Sequence, residues 1–460
     1  MAASLSVARR CPFHLLDMIR IFNAAEAAAS ILERAPLADA QVPDSWLATW
    51  KDMFGQALGV EEAVAAIIDA VRTRGDAALY EFGNRLDGVA PASLCLEQDR
   101  LEAAWLALDN ETAAAMQLAA DRVHAFHERQ PVSDWVYESA DGTLGQLVRP
   151  IEKVGIYVPG GTAPLPSALL MSAIPARVAG VPEISIITPP ASPAGEPAPI
   201  LLAAAWLAGV PRLYVSGGAQ AIAALAYGTE SVPAVDKIAG PGGLMTTEAK
   251  RQVYGQVGLD GLYGPTETMI VADESADPEV VAADLLAQAE HDVLASAILV
   301  TPSVRLAESV QAAVGQMLED LPRAEIIAGS LERGSGIVLV DSLEAGIGVA
   351  NQYAAEHLCL LVTDPDQWLD RVQHAGGVFM GHHSSEVLGD YVAGPSHVMP
   401  TNGSARFSSP LSVLDFVRVV SLFGLNEAGA QRIGPAAARL AETEGLQAHA
   451  RAVTARRSRS

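Results

Sequence analysis

Four short stretches carry side chains that could do chemistry together. The first is LLAQAEHD, residues 285–292. The residues before it read as a helix start, with Asp277 as N-cap, Pro278 as first helical residue and Glu279 in the first turn. Val281 and Leu285 then mark an apolar stripe, whose next position is Gln288, with His291 three residues on. Residues three apart share a helix face, so an amide and an imidazole would reach one point where leucine is expected. AAEHLCLLV sets Glu356 and His357 at the mouth of an apolar strand, and strand ends deliver side chains to crevices. LGDYVAGPSHVMP holds Asp390 and His397 in a glycine-rich loop, and EGLQAH carries Glu444 and His449. Taken singly, each is an ordinary capping, core or solvated residue. Gln, His, Asp and His together would supply four nitrogen and oxygen ligands to one divalent ion, a set that suits zinc without thiolates.

Positioning such side chains requires a framework of strands and helices. Residues 19–130 read as helical: GVEEAVAAIIDAVRTRG has a 3.6-residue apolar period ended by Gly75. From about residue 145 the texture changes. The β-branched runs VGIYV, ISIIT, RLYVS, DKIAG, TMIVAD, SAILV, GIVLV, HLCLLV and GGVFMG alternate with Ala-rich helical segments. That alternation means βαβ units and mostly parallel sheets, more than one of them. From about 412 the pattern is helical again. Glycine turns occur at VPGG (158–161), SGGAQ (216–220), AGPGG (239–243) and YGPTE (263–267). Strand, glycine turn and helix aim backbone N–H groups at an anion, so three such turns close together favour a dinucleotide or phosphate crevice. None of them is GxGxxG, and tight βα turns use glycine for their own sake.

Composition narrows the class. Half of the 460 residues are apolar and 18% are charged, as in a globular α/β protein with a large core. A net charge of −24 argues against nucleic acid or an anionic membrane as partner. Cys11, Cys95 and Cys359 form no CxxC pair, which points to a reducing, cytoplasmic setting. The longest apolar runs are about half a membrane span. The first residues carry arginines but no apolar segment with a cleavage site, so they are expected to be an extension, or to precede a true start at Met18. TARRSRS reads as a frayed basic tail.

The stretches VGIYVPGGTAPLPSALLMSAIPARVAGVPEI, GGAQAIAALAYGT, TEAKRQVYG, GPTETMIVAD, DLLAQAEHD, EHLCL, LGDY, SHVMPT and EGLQAHARAV resemble the histidinol dehydrogenase family, in the family's order. The resemblance spans roughly residues 20–455. It implies a homodimer with shared active sites that uses NAD and one Zn²⁺ per subunit to oxidise L-histidinol through the aldehyde to L-histidine. The zinc ligands implied are Gln288, His291, Asp390 and His449, the last reaching the neighbouring subunit's site. The catalytic pair implied is Glu356 and His357, with His357 neutral near pH 7 and able to take a proton. Substrate contacts fall on Thr266, His397 and Glu444, together with Asp390 and His449; cofactor contacts fall on Tyr157, Gln220 and the turn of Gly243. The family pattern has Asn in place of Gly243 and Ser in place of Thr266. A family member acting on another small amino or hydroxy alcohol is the alternative.

The expected fold is α/β, with two Rossmann-like parallel-sheet domains and helical N-terminal and C-terminal extensions. Residues 18–52 form the N-terminal segment; 53–156 with 268–411 form the first domain; 157–267 form the second, on the cofactor side. Residues 412–460 extend into the partner subunit.

Overall fold

The protein is described by a computed structural model that covers residues 19–34, 42, 44–130, 132–160 and 163–457. The expectations for residues 1–17, for Gly161 and for the end of the basic tail lie outside the described residues. All nine β-branched runs are strands, and with the short strands Ile21–Asn23, Cys95–Glu97 and Gly258–Leu259 they build two six-stranded sheets. The first sheet runs Ile21–Asn23, Gly336–Leu339, Ser296–Thr301, Glu267–Ala272, His357–Leu361 and Gly377–Met380, all parallel. The second runs Cys95–Glu97, Arg212–Val215, Glu183–Thr188, Lys153–Tyr157, Lys237–Ala239 and Gly258–Leu259, parallel except for Cys95–Glu97. Strands covered by helices on both faces must be apolar on both, which is why these runs lack polar alternation. Each sheet grows outward from its first long strand and then reverses. In the first sheet the reversal lies between Glu267–Ala272 and His357–Leu361, where Thr268 pairs with His357. In the second it lies between Lys153–Tyr157 and Lys237–Ala239.

The two cores divide the chain differently from the expected grouping of 53–156 with 268–411. Val64, Ile67 and Val71 of the helix Val60–Arg74 pack with Tyr157, Ile187 and Ile222, and Met116 and Val123 of Asn110–His127 pack with Leu169 and Ile174. These helices therefore cover the second sheet. The N-terminal segment, read as helical, starts with Ile21–Asn23, an edge strand of the first sheet, and Cys95–Glu97 is a second short strand in the stretch read as helix. An apolar helical stripe states that a face is buried but not which sheet buries it.

A third, antiparallel sheet joins Val417–Leu425, Gly142–Pro150 and Trp135–Ser139. The C-terminal extension thus enters through a nine-residue strand and becomes helical at Glu427–Thr443 and Gln447–Arg457. Among the described residues no helix is long and apolar enough to cross a membrane.

Candidate active site

The helix Pro278–Ala289 begins as its sequence requires: Asp277 accepts from the Glu279 N–H at 2.9 Å, and Pro278 needs no partner in the first turn. It ends at Ala289, earlier than the Gln288–His291 spacing suggested. His291 sits in the bend beyond, its N–H 3.3 Å from the Gln288 carbonyl. The two residues still share one turn, but only Gln288 belongs to the helix and lies buried.

Gln288 donates through Nε2 to Thr266 Oγ1 at 2.8 Å, and Thr266 Oγ1 donates to Glu356 Oε2 at 2.6 Å. The Glu267 N–H adds a second bond to that carboxylate oxygen at 3.1 Å. Glu356 lies in line with a helix end: Leu343–Tyr353 terminates at Ala354, which takes a left-handed conformation (φ 52°) and turns the chain into the strand His357–Leu361. His357 Nδ1 lies 3.3 Å from the Glu267 carbonyl and 3.7 Å from Glu356 Oε2. Its Nε2 is 3.5 Å from Asp390 Oδ1, near enough for charge attraction but without hydrogen-bond geometry, so that buried nitrogen is unpartnered. Asp390 Oδ1 is also 3.7 Å from His397 Nδ1, and His397 Nε2 is a second buried nitrogen without a partner.

Charge is uneven here. Burial pushes the Glu356 carboxyl up, against His357 and its hydrogen-bond donors. Burial works against the His357 imidazolium too, but Glu356, Asp390 and Glu386 outweigh it and raise His357 to about 10. Three carboxyl groups thus surround one imidazole and favour its protonated form, where the sequence led us to expect a neutral ring. Burial also opposes the Asp390 carboxylate, but His357 and His397 hold it well below the usual carboxylate range. His291 is exposed overall, yet the atoms packed round its ring lower it, against the pull of Asp390. These interactions place His291, His357, Asp390 and His397 in one neighbourhood. Among the described residues, no three His, Cys, Asp or Glu side chains are arranged to hold a metal ion.

This cluster lies at the amino ends of the strands Glu267–Ala272 and His357–Leu361, not at the carboxyl ends where α/β crevices usually form. Helices run against the strands, so the C-terminal carbonyls of Pro278–Ala289 face this end. A helix C-terminus favours a cation. The second sheet shows the opposite polarity. Tyr157 ends its strand, and its hydroxyl accepts from the Gly218 N–H at 3.2 Å, at the start of the helix Gly218–Tyr227. Gln220 in that helix donates to Asp87 at 3.3 Å, while its Oε1 is buried without a partner, as are Thr188 Oγ1 and Ser216 Oγ nearby. Burial lifts Asp87 to about 6 despite its bonds from Gly217 and Gln220. Gly243 is the N-cap of the helix Leu244–Val253, and a Cβ there would meet nothing within 4 Å. Of the four glycine turns, YGPTE differs in leading into a strand rather than a helix.

The two sheets meet at this site. Lys250 Nζ donates to Asp260 and to the Gly240 carbonyl, both at 2.7 Å, and Asp260 accepts from the Gly240 N–H and the Tyr263 hydroxyl. This buried network ties the Gly240 turn to the turn that carries Thr266; Gly240 itself (φ 104°) has no room for a Cβ against the Tyr157 carbonyl. The Gly264 N–H donates to Thr401, and the His397 N–H to Met171 Sδ, closing the seam from the other side.

Glu444 and His449 stand elsewhere. They line a cleft between the two C-terminal helices with Leu440 and Leu446, and among the described residues neither bonds to the cluster round Glu356. Sequence reasoning missed Glu386, buried under His357, where it accepts from Thr268 Oγ1 at 2.5 Å and is raised to about 7 by burial. Its one signal is its position four residues before Asp390, on the same helix face. Asp87 and Glu267 carried no signal at all.

Comparison with known proteins identifies the family. The family model described as "Histidinol dehydrogenase" matches residues 54–457. The histidinol dehydrogenase of Deinococcus radiodurans is 52% identical over 95% of this chain and 100% of its own, and that of Thermus thermophilus is 50% identical over 86% and 95%. The crystal structure of histidinol dehydrogenase from Elizabethkingia anophelis superposes with a TM-score of 0.86 at 34% identity, over 95% of this chain and 98% of that one. The chain belongs to the histidinol dehydrogenase family and is an oxidoreductase.

Proposed function

We propose that this protein oxidises L-histidinol in two steps, through histidinaldehyde, to L-histidine, with NAD as hydride acceptor and one zinc ion per subunit. The observation that carries the reading is the chain Gln288–Thr266–Glu356 beside His357, Asp390 and His397, in a member of this family. Gln288, His291 and Asp390 would hold the zinc from one subunit. The donor set fits: the Gln288 NH2 is engaged by Thr266, so its carbonyl oxygen is the atom left to a cation, beside an imidazole and an ionised carboxylate. The helix C-terminus adds favourable potential. When bound, the zinc would orient the substrate's imidazole and amine, and its charge would offset one of the carboxylates that keep His357 protonated.

Tyr157, Gln220 and the Gly243 turn would hold NAD at the carboxyl ends of the second sheet, where buried Oε1 and hydroxyl groups lack partners. When bound, the nicotinamide takes a hydride at each oxidation. In the first, His357 takes the alcohol proton as hydride leaves the carbinol carbon. Glu356 then takes a proton from water as the water adds to the aldehyde carbon. The resulting gem-diol loses the second hydride, and His357 again takes the proton from oxygen. One alcohol and one water thus give one carboxylate, two reduced cofactors and three protons.

Glu444 and His449 would complete the site of a second copy. Leu440 and Leu446 on the C-terminal arm, and Leu294, Leu388 and Tyr391 around the cluster, are exposed apolar residues on the two surfaces that would then meet. Such residues favour burial between subunits over exposure to water. A cytoplasmic setting accords with the cysteine pattern. The test is NADH formation by purified protein with L-histidinol, NAD and zinc. No NADH from L-histidinol, with turnover of another small amino alcohol, would reassign the substrate; release of a hydrolysis product without NADH would reject the oxidation.

A further inference from the structure

Glu267 is the first residue of its strand, and on the side facing His357–Leu361 its backbone is committed to side chains. Its N–H bonds Glu356 at 3.1 Å, and its carbonyl faces His357 Nδ1 at 3.3 Å. Whatever fixes Glu267 therefore fixes both members of the pair. Its own carboxylate is buried and takes a two-pronged contact from Arg34, with Nε at 2.6 Å and Nη2 at 2.8 Å. The third guanidinium nitrogen, Nη1, donates to the Tyr353 carbonyl at 2.6 Å, and the guanidinium lies 3.7 Å from the centre of the Tyr353 ring. Tyr353 is the last helical residue before the turn to Glu356. One planar cation thus bridges the segment Thr266–Glu267 and the segment Tyr353–His357. Arg34 lies in the N-terminal segment, outside the residues 54–457 matched by the family model.

We propose that Arg34 is a positioning residue, clamping these two segments so that Glu356 and His357 keep their mutual geometry during turnover. The inference rests on the functional reading above. A guanidinium suits the task because it is planar, permanently charged and able to hold a carboxylate by two parallel bonds while a third donor remains; an ammonium offers none of that fixed geometry.

The test uses the full-length, zinc-loaded protein with L-histidinol and NAD. Arg34→Ala should lower kcat about 10- to 100-fold while KM moves less than about threefold, since displaced catalytic groups cost rate rather than binding. Guanidinium chloride should restore a large part of that rate; sodium chloride at the same ionic strength should not, and Arg34→Lys should stay impaired. If Arg34→Ala does not fold, the double variant Arg34→Met with Glu267→Gln, which strands no buried charge, carries the same expected loss. An unchanged kcat per folded molecule, or a loss that guanidinium fails to restore, overturns the clamp. If the wild type itself shows no turnover, the functional reading fails, and the clamp is judged separately by the His357 ring resonances in ¹⁵N-histidine-labelled protein. These should shift in Arg34→Ala; an unchanged His357 signal overturns the clamp.

Discussion

Replacing Thr266 by valine tests the link between local structure and the second oxidation. Valine keeps the shape of threonine but removes the hydroxyl that donates to Glu356 at 2.6 Å and accepts from Gln288 at 2.8 Å. A hydrogen bond to an ionised group contributes about 1.5–3 kcal/mol, and a donor left buried and unpaired costs about 1–3 kcal/mol. The first quantity acts on the Glu356 carboxylate. Burial already raises that carboxyl, and losing a donor raises it further, so ionisation requires higher pH. Addition of water to the aldehyde should then slow about 10- to 100-fold at neutral pH, and the acid limb of the rate profile should move to higher pH. The second quantity acts on Gln288 and should appear as a lower melting temperature. Thr266→Ser keeps the hydroxyl and should stay within about threefold of wild type. The assay is the initial rate of NADH formation from histidinaldehyde across pH, with thermal melts alongside. A Thr266→Val rate within threefold of wild type would refute the argument that this hydroxyl keeps Glu356 ionised.

Glu356→Gln should depress oxidation of supplied histidinaldehyde more than the first hydride step from L-histidinol, measured in single turnover; equal damage to both would remove the glutamate from water activation. Mixing His291→Ala with His449→Ala chains should regenerate up to half of the sites in each heterodimer, read as recovered NADH formation; no recovery after proven subunit exchange would mean that each site is built within one chain. Asp87 is raised to about 6 by burial, so the folded state binds its proton more tightly than the unfolded chain does. Its contribution is fully present below about pH 4 and lost as pH rises through about 6, so Asp87→Asn should gain stability on wild type over that window, by at most about 3 kcal/mol, in melts at pH 4 and 7.

Much of the framework is legible in the sequence. The nine β-branched runs became strands because interior parallel strands need apolar side chains on both faces, and the Asp277–Pro278 start held because capping is local chemistry. Gln288 was legible because it interrupts an apolar stripe. Its place in a hydrogen-bonded chain to Glu356 was not, since Thr266 and Glu356 lie 22 and 68 positions away in sequence and are joined only by strand pairing. The strand Val417–Leu425 was missed because its partner, Gly142–Pro150, lies far upstream. Arg34, Asp87 and Glu267 gave no signal, and Glu386 gave only its spacing from Asp390. A charged residue in sequence is normally a solvated one, and only the folded structure shows that Glu267 and Glu386 are buried against the site. The glycine turns pointed to the carboxyl ends of the second sheet, and the order of AAEHLCLLV put the Glu356–His357 pair at the start of its strand, but nothing local revealed which side chains meet it there.

The most direct measurement is the yield of NADH per L-histidinol, taken to completion with excess NAD and zinc-loaded protein. A carboxylate that activates water and an imidazole that acts twice predict two NADH and one L-histidine for each L-histidinol consumed. One NADH with free histidinaldehyde would contradict the double oxidation, and no NADH at all would contradict the assignment of this site as a dehydrogenase centre.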